Sequence, residues 1–172
     1  MFLGGTKNKK VYKTEKEIVL IGKVSKKKTT VKLKTPVVKV RVSRGKSYDP
    51  QKIVKGPEDA ERFFREYMNK NRIEGQEQFL VMYLGRGNQV LGIYPHSIGM
   101  MTATMVEAKM IVNVGLQLLA EGVITAHNHP SGNLTPSEGD RQMAEKLKTA
   151  FKHFDISVHD NLILTKTGSR SY

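Results

Sequence analysis

Residues 123–140, which read VITAHNHPSGNLTPSEGD, decide both the fold and the chemistry of this chain. The apolar run at 123–126 predicts a short buried strand that continues directly into His127. His127 and His129 are two positions apart at the end of this strand, so both rings project to the same side. After a loop, TPSE at 135–138 predicts a capping box with proline at the first helical position, which starts a helix at once.

The start of this helix carries a carboxylate that can reach the two histidines. Ser137 and Asp140 are three positions apart and therefore lie on one helical face. Asp140 precedes Met143 on the stripe that faces the core, so the loop folds the helix start back toward the strand end. Three nitrogen and oxygen ligands with an open fourth position suit a catalytic zinc ion. The spacing thus predicts a metal site at His127, His129 and Asp140.

The same residues carry a resemblance to a known superfamily. His127-x-His129-Pro130, followed after six residues by Ser137 and after two more by Asp140, is similar to the JAMM motif of the JAB/MPN metalloproteases. The resemblance implies the JAB/MPN fold, an α/β (α+β) fold whose sheet is flanked by helices in a layout related to cytidine deaminases. It also implies Zn²⁺ as the cofactor, held by the two histidines and the aspartate.

Two further segments resemble the RadC branch of this superfamily. The first is HNHPSG at 127–132, with PS at 136–137, and the second is EQFLVMYL at 77–84, which resembles the first strand of RadC proteins. The resemblance covers about residues 57–172.

The resemblance also implies catalytic roles for two side chains. Glu77, which directly precedes the 78–84 run, matches the position of the general acid/base, and Ser137 matches the position that binds the oxyanion. The implied reaction is attack of an activated water on an amide bond of a peptide or isopeptide. Plainer roles stay open: Glu77 as a solvated strand-end carboxylate and Ser137 as a helix cap. Glu107 is the competing carboxylate, but it falls in the first turn of a helix, where it can interact with the helix dipole.

Elsewhere in the chain, hydrophobic patterning predicts alternating helices and strands, and thus a mixed α/β class. Strands are predicted at 17–22, 35–43, 77–85, 89–94, 156–158 and 162–165. Helices are predicted at 57–68, 106–120 and 136–153.

The net charge of +13 is concentrated in the first third of the chain. Residues 1–56 hold 17 basic and 3 acidic side chains, whereas residues 57–172 hold 12 and 13. This predicts a basic, partly disordered segment at 1–56 and a RadC-like metal-binding domain at 57–172. The basic segment is either a solubilising tail or a non-specific contact to DNA or RNA phosphates. The alternative function is therefore a DNA-associated repair or accessory protein.

Composition excludes several other classes. The chain has no cysteine, which excludes disulfides and thiolate metal sites. It has no apolar run of ~20 residues and no secretory h-region at its start, so we expect a cytoplasmic protein without a membrane span.

The chain departs from the RadC pattern in four places, one of which is Ala108-Lys109-Met110, where the family often has a Pro-Arg-Glu run. RadC proteins typically have Asp-His near their last strands, and here the pair is Asp160-Asn161. They usually carry a helix-hairpin-helix region before the JAB domain, where this chain has a lysine-rich segment. The chain also stops at Tyr172, in what resembles the start of a family motif, so we expect either a truncated chain or a divergent C-terminus.

Overall fold

The structure is a computed structural model that describes residues 17–20, 31–34, 49, 51–68, 73–99 and 107–172. The chain divides into two compact units, Met1–Arg41 and Val42–Tyr172.

In the first unit, two short strands form an antiparallel pair. Strand β1 (Glu17–Leu20) pairs with β2 (Val31–Lys34), with Ile18 opposite Leu33. β1 agrees with the predicted strand at 17–22, whereas β2 was not predicted. The strand predicted at 35–43 lies outside the described residues, and the partial disorder of the segment stays a prediction.

Among the described residues, the second unit contains three α-helices and a five-stranded sheet. The helices are α1 (Pro57–Tyr67), α2 (Ala108–Leu118) and α3 (Glu138–Lys152). The strands are β3 (Gln78–Leu84), β4 (Val90–Ile98), β5 (Gly122–Asn128), β6 (Ser157–Leu164) and β7 (Ser169–Ser171). Their order in the sheet is β4-β3-β5-β6-β7, and β5 pairs parallel with β6 while the other pairs are antiparallel.

Helices cover both faces of the sheet. Alternate side chains of the buried strands point to opposite faces, so the strands contribute apolar side chains to a separate core on each face. One core contains Phe63 and Phe64 of α1 with Leu80 and Met82 of β3. The other core is formed by Val81 and Tyr83 of β3 with residues of α2 and α3, including Ile111, Leu147 and Phe151. The mixed α/β class is confirmed. No helix in the described part of the chain is both long and apolar enough to cross a membrane.

Two predicted details are wrong. The strand signals at 156–158 and 162–165 belong to one strand, β6, because its polar middle continues the pairing with β5. Helix α3 is capped by Ser137 and not by Thr135. The reason is that Ser137 and Asp140 satisfy each other's backbone N–H groups, which forms the capping box two residues later than predicted.

Candidate metal centre

The end of β5 brings the two histidines together. β5 is the central strand of the sheet, and His127 pairs with Phe79 of β3 on one side and Ile163 of β6 on the other. The Nε2 atoms of His127 and His129 lie 3.0 Å apart. The His127 side chain is only 3% exposed, so its ring is held by packing on the sheet. This confirms that both rings project to one side.

Asp140 completes the group from the first turn of α3. Its Oδ1 lies 3.3 Å from Nε2 of His127, and its Oδ2 lies 3.6 Å from Nε2 of His129. One donor atom from each of the three residues falls within 4.8 Å of the others. Two imidazole nitrogens and a carboxylate oxygen are a donor set that divalent metals of the zinc type bind. The three residues could therefore hold a metal ion.

The backbone around His129 selects the ring nitrogen that faces this group. Nδ1 of His129 lies 2.6 Å from the carbonyl oxygen of Asn133, and a carbonyl only accepts hydrogen bonds. Nδ1–H therefore donates to Asn133, which leaves the lone pair of a neutral ring on Nε2. An outer hydrogen bond of this kind is what orients metal-binding histidines.

Asp140 is held in its ionised form. Burial alone would raise its pKa, but hydrogen bonds from His127 and from Ser137 outweigh burial and hold the pKa of Asp140 well below its usual range. Oδ2 accepts from both the backbone N and the hydroxyl of Ser137, each at 2.7 Å. A carboxylate that stays charged is the form that binds a metal.

Glu77 and Ser137 line the same cavity as the three metal-ligand candidates. The cavity measures about 290 Å³, and Phe79 and Met143 contribute apolar wall. Glu77 immediately precedes β3 and is half-buried, and Ser137 caps α3. The competing carboxylate, Glu107, is the exposed N-cap residue of α2 and does not line this cavity.

Sequence reasoning missed Tyr172, which forms part of the cavity wall. Its ring stands edge-on to His127 with centroids 6.0 Å apart. Burial, followed by the nearby charge of Asp140, raises the pKa of this phenol, so it is a neutral hydrogen-bond donor at physiological pH. A tyrosine at the end of a short polar segment carries no sequence signal for this role.

Asn161, which departs from the RadC pattern, holds Tyr172 in place. Its Oδ1 accepts from Thr125 Oγ1 at 2.7 Å, and its Nδ2 donates to the Tyr172 carbonyl at 3.4 Å. The backbone N of Tyr172 donates to the Asn161 carbonyl at 3.0 Å. The preceding Asp160 accepts hydrogen bonds from Asn161 N and Ser171 Oγ. The Asp-Asn pair thus joins β6 to its two neighbouring strands.

The sheet, its flanking helices and the His-His-Asp group at the end of the central strand define an α/β domain with a group of side chains that could hold a metal ion. A family model described as RadC-like JAB domain matches residues 54–172, well over half of the chain. The protein therefore belongs to the RadC-like JAB domain family.

Curated relatives agree with this assignment. The chain is 38% identical over 96 residues to a UPF0758 protein of Flavobacterium johnsoniae, an alignment that covers 56% of this chain and 42% of that protein. It is 29% identical over 132 residues to a UPF0758 protein of Streptococcus gordonii, covering 77% of this chain and 57% of that protein. The chain spans about half the length of the curated relatives it matches.

Proposed function

We propose that this protein is a zinc-dependent hydrolase that cleaves an amide bond in a peptide or isopeptide. The observation that carries the proposal is the convergence of His127, His129 and Asp140 in a cavity that Glu77 and Ser137 also line. The cavity therefore combines a candidate metal-binding group with a candidate proton carrier and a candidate oxyanion donor, which are the parts that metal-assisted hydrolysis needs.

The three ligand candidates would hold the zinc ion: Nε2 of His129 faces the group because Nδ1 is bonded to Asn133, and Asp140 is held in its ionised form. Zinc bound there supplies a Lewis acid that lowers the pKa of a water molecule toward ~7. Glu77 takes the proton of the attacking water and later returns it to the departing amine. Water and amide are thereby converted into a carboxylate and a protonated amine, because the amine receives one proton through Glu77 and the second from the new carboxylic acid.

Ser137 stabilises the charge that develops on the substrate carbonyl oxygen. Its hydroxyl donates to Asp140 Oδ2 and accepts from the Asp140 backbone N at 3.2 Å. A hydroxyl has one proton to donate, so it must rotate away from Asp140 to donate to the substrate. The Ser137 backbone N also donates to Oδ2, which keeps the carboxylate in place when the hydroxyl turns.

The test is metal analysis combined with hydrolysis of a lysine-linked isopeptide library by the full chain. We expect about one zinc per chain in the wild type and almost none in the His127→Ala/His129→Ala double variant. His153→Ala is the matched control, because His153 is an exposed residue at the end of α3. Glu77→Gln should retain zinc and lose hydrolysis by about 100-fold or more. Equal zinc in the double variant and the wild type would contradict the proposal.

The charge of residues 1–56 supports a second candidate, non-specific DNA binding by a DNA-associated accessory protein. Neutralising Lys26, Lys27 and Lys28 to Gln should reduce the salt slope of DNA affinity by up to about 3, as expected for lost phosphate contacts. The control neutralises three exposed lysines of α3: Lys146, Lys148 and Lys152. An unchanged slope in the first variant would reject DNA binding through this run of lysines.

A further inference from the structure

Asn128 lies between the two histidines in sequence but faces the other side of the sheet. Successive side chains of a strand alternate, so His127 and His129 project into the cavity while Asn128 projects toward the face that α1 covers. The Asn128 side chain is completely buried, at 0% exposure. A buried amide needs hydrogen-bond partners, because without them it loses its hydrogen bonds to water and gains none in return.

The three partners of Asn128 lie in the segment 73–78, which leads into β3 and includes its first residue. Its Oδ1 accepts from the backbone N of Gln78 at 2.7 Å. Its Nδ2 donates to the carbonyl of Ile73 at 2.8 Å and to the carbonyl of Gln76 at 2.9 Å. Both donor hydrogens of the amide are used, and the bonds hold the residues immediately before and after Glu77.

The backbone of Glu77 is therefore tied on three sides. Gln76 and Gln78 are bonded to Asn128, and the Glu77 carbonyl accepts from Gly99 N at 2.8 Å at the end of β4. Rotation of the segment would break two short bonds to a side chain that cannot reorient in the core. Since Asn128 ends β5 between His127, the preceding strand residue, and His129, the first residue after the strand, one stretch of backbone sets the position of Glu77 relative to both histidines.

We propose that Asn128 is a positioning residue that holds Glu77 over the metal centre. The inference rests on the proposed function, because it assumes that Glu77 handles the proton of the attacking water. Asn128 touches neither metal nor substrate and acts through the backbone on either side of Glu77. Its loss should leave the three metal ligands in place and uncouple Glu77 from them.

The first measurement tests the contact without any assumption about metal or activity. In the full-length wild type, NMR-detected amide exchange should show Gln78 protected, although it is the first residue of β3. Asn128→Ala should speed exchange of the Gln78 amide by about tenfold relative to that of Leu80, which reports strand opening. Unprotected Gln78 in the wild type overturns the inference even if the variant fails to fold.

The second measurement uses Co²⁺ in place of zinc, because its visible absorption reports the water at the metal. Glu77→Gln should move the pH midpoint of the absorption change. Asn128→Ala and Asn128→Asp should move it in the same direction by at least half as much, with Co²⁺ affinity within about tenfold of the wild type. Asn128→Asp keeps the acceptor for Gln78 N but loses both donors. Tyr83→Phe is the control, since it removes one buried hydrogen bond from β3, to the Ile111 carbonyl.

The outcomes separate this inference from the proposed function. A midpoint that moves with Glu77→Gln but not with either Asn128 variant overturns the positioning role alone. If the pH midpoint is the same in Glu77→Gln as in the wild type, Glu77 is not the base, and the positioning role of Asn128 is overturned as well. A midpoint that moves equally in Tyr83→Phe shows a general loss of stability and also overturns the inference.

Discussion

Asp140 serves the fold and the candidate metal centre with the same carboxylate. Its Oδ2 accepts from the backbone N of Ser137 in the capping box of α3, while Oδ1 faces His127. The two roles differ in their need for charge, since an amide oxygen can cap a helix but binds a metal more weakly. Substitutions at this position can therefore separate them.

We expect Asp140→Asn to lower zinc affinity by more than about 100-fold while destabilising the metal-free protein less than Asp140→Ala does, because the amide oxygen keeps the helix cap although the charge is lost. Asp140→Ala should lose both the metal and about 1 kcal/mol of stability, because the cap is lost as well. Chelator competition and urea unfolding measure the two effects. Glu138→Gln, at an exposed position in the same helical turn, should change neither affinity nor stability appreciably. Wild-type zinc affinity in Asp140→Asn would contradict the assigned ligand set.

Gly132 shapes the loop that orients His129. It has φ +79°, a conformation that L side chains rarely adopt, and it directly precedes Asn133, whose carbonyl faces Nδ1 of His129. We expect Gly132→Ala to cost about 1 kcal/mol of stability and to weaken zinc binding by about 10–100-fold. Gly92→Ala is the control, because Gly92 has no positive φ and open space around it. Zinc binding equal to that of the wild type would show that the Asn133 contact does not orient the ring.

Among the elements, α1 is joined to the hairpin of β6 and β7 by one guanidinium. Arg65 donates to the carbonyls of Thr165 and Gly168 at 2.9 and 2.8 Å and to the Glu61 carboxylate at 2.7 Å. Glu61 in turn accepts from Ser169 Oγ at 2.6 Å. These bonds satisfy two turn carbonyls with a fork-shaped group that lysine cannot reproduce.

Arg65→Ala should therefore destabilise the protein by about 1–3 kcal/mol, because it leaves part-buried carbonyls without a charged donor. Arg65→Lys should recover only part of the loss. Arg62→Ala provides the comparison, since Arg62 lies on the same helix but pairs with Asp59 at the surface. Chemical unfolding at neutral pH measures all three. Equal losses for Arg62→Ala and Arg65→Ala would contradict the role of the hairpin contact.

For the protein as a whole, metal binding and stability should be linked, because the three ligands come from β5, the loop after it and α3. At a free zinc concentration of 100 times Kd, the folded state gains about 2.7 kcal/mol. We expect zinc to raise Tm by roughly 5–10 °C and a chelator to reverse the rise. Thermal unfolding followed by circular dichroism measures this, and the His127→Ala/His129→Ala variant should show no rise. The same rise in that variant would place the zinc elsewhere.

Local patterns predicted most of the elements in the second unit. Apolar runs and helical stripes predicted β3, β4, β5 and the three helices, because each buries a regular set of side chains. The pattern failed where polar residues continue a buried strand, as in the middle of β6, and where a strand is short and polar, as in β7. In both cases backbone hydrogen bonds to the neighbouring strand stabilise the extended conformation, and the pattern of side chains does not reveal it.

The amino-acid sequence was sufficient to predict the metal-ligand candidates. Strand spacing places both histidine rings on the same side, and the position of Asp140 in the first turn of the next helix places its carboxylate on the face that packs toward them. Other features depend on contacts between residues far apart in the chain. These are the burial of Asn128 against the segment before β3, the placement of Tyr172 beside His127, and the contact of Arg65 with the β6–β7 turn. Tertiary packing decided them, since a side chain's partner across the sheet is set by register and burial and not by its neighbours in sequence.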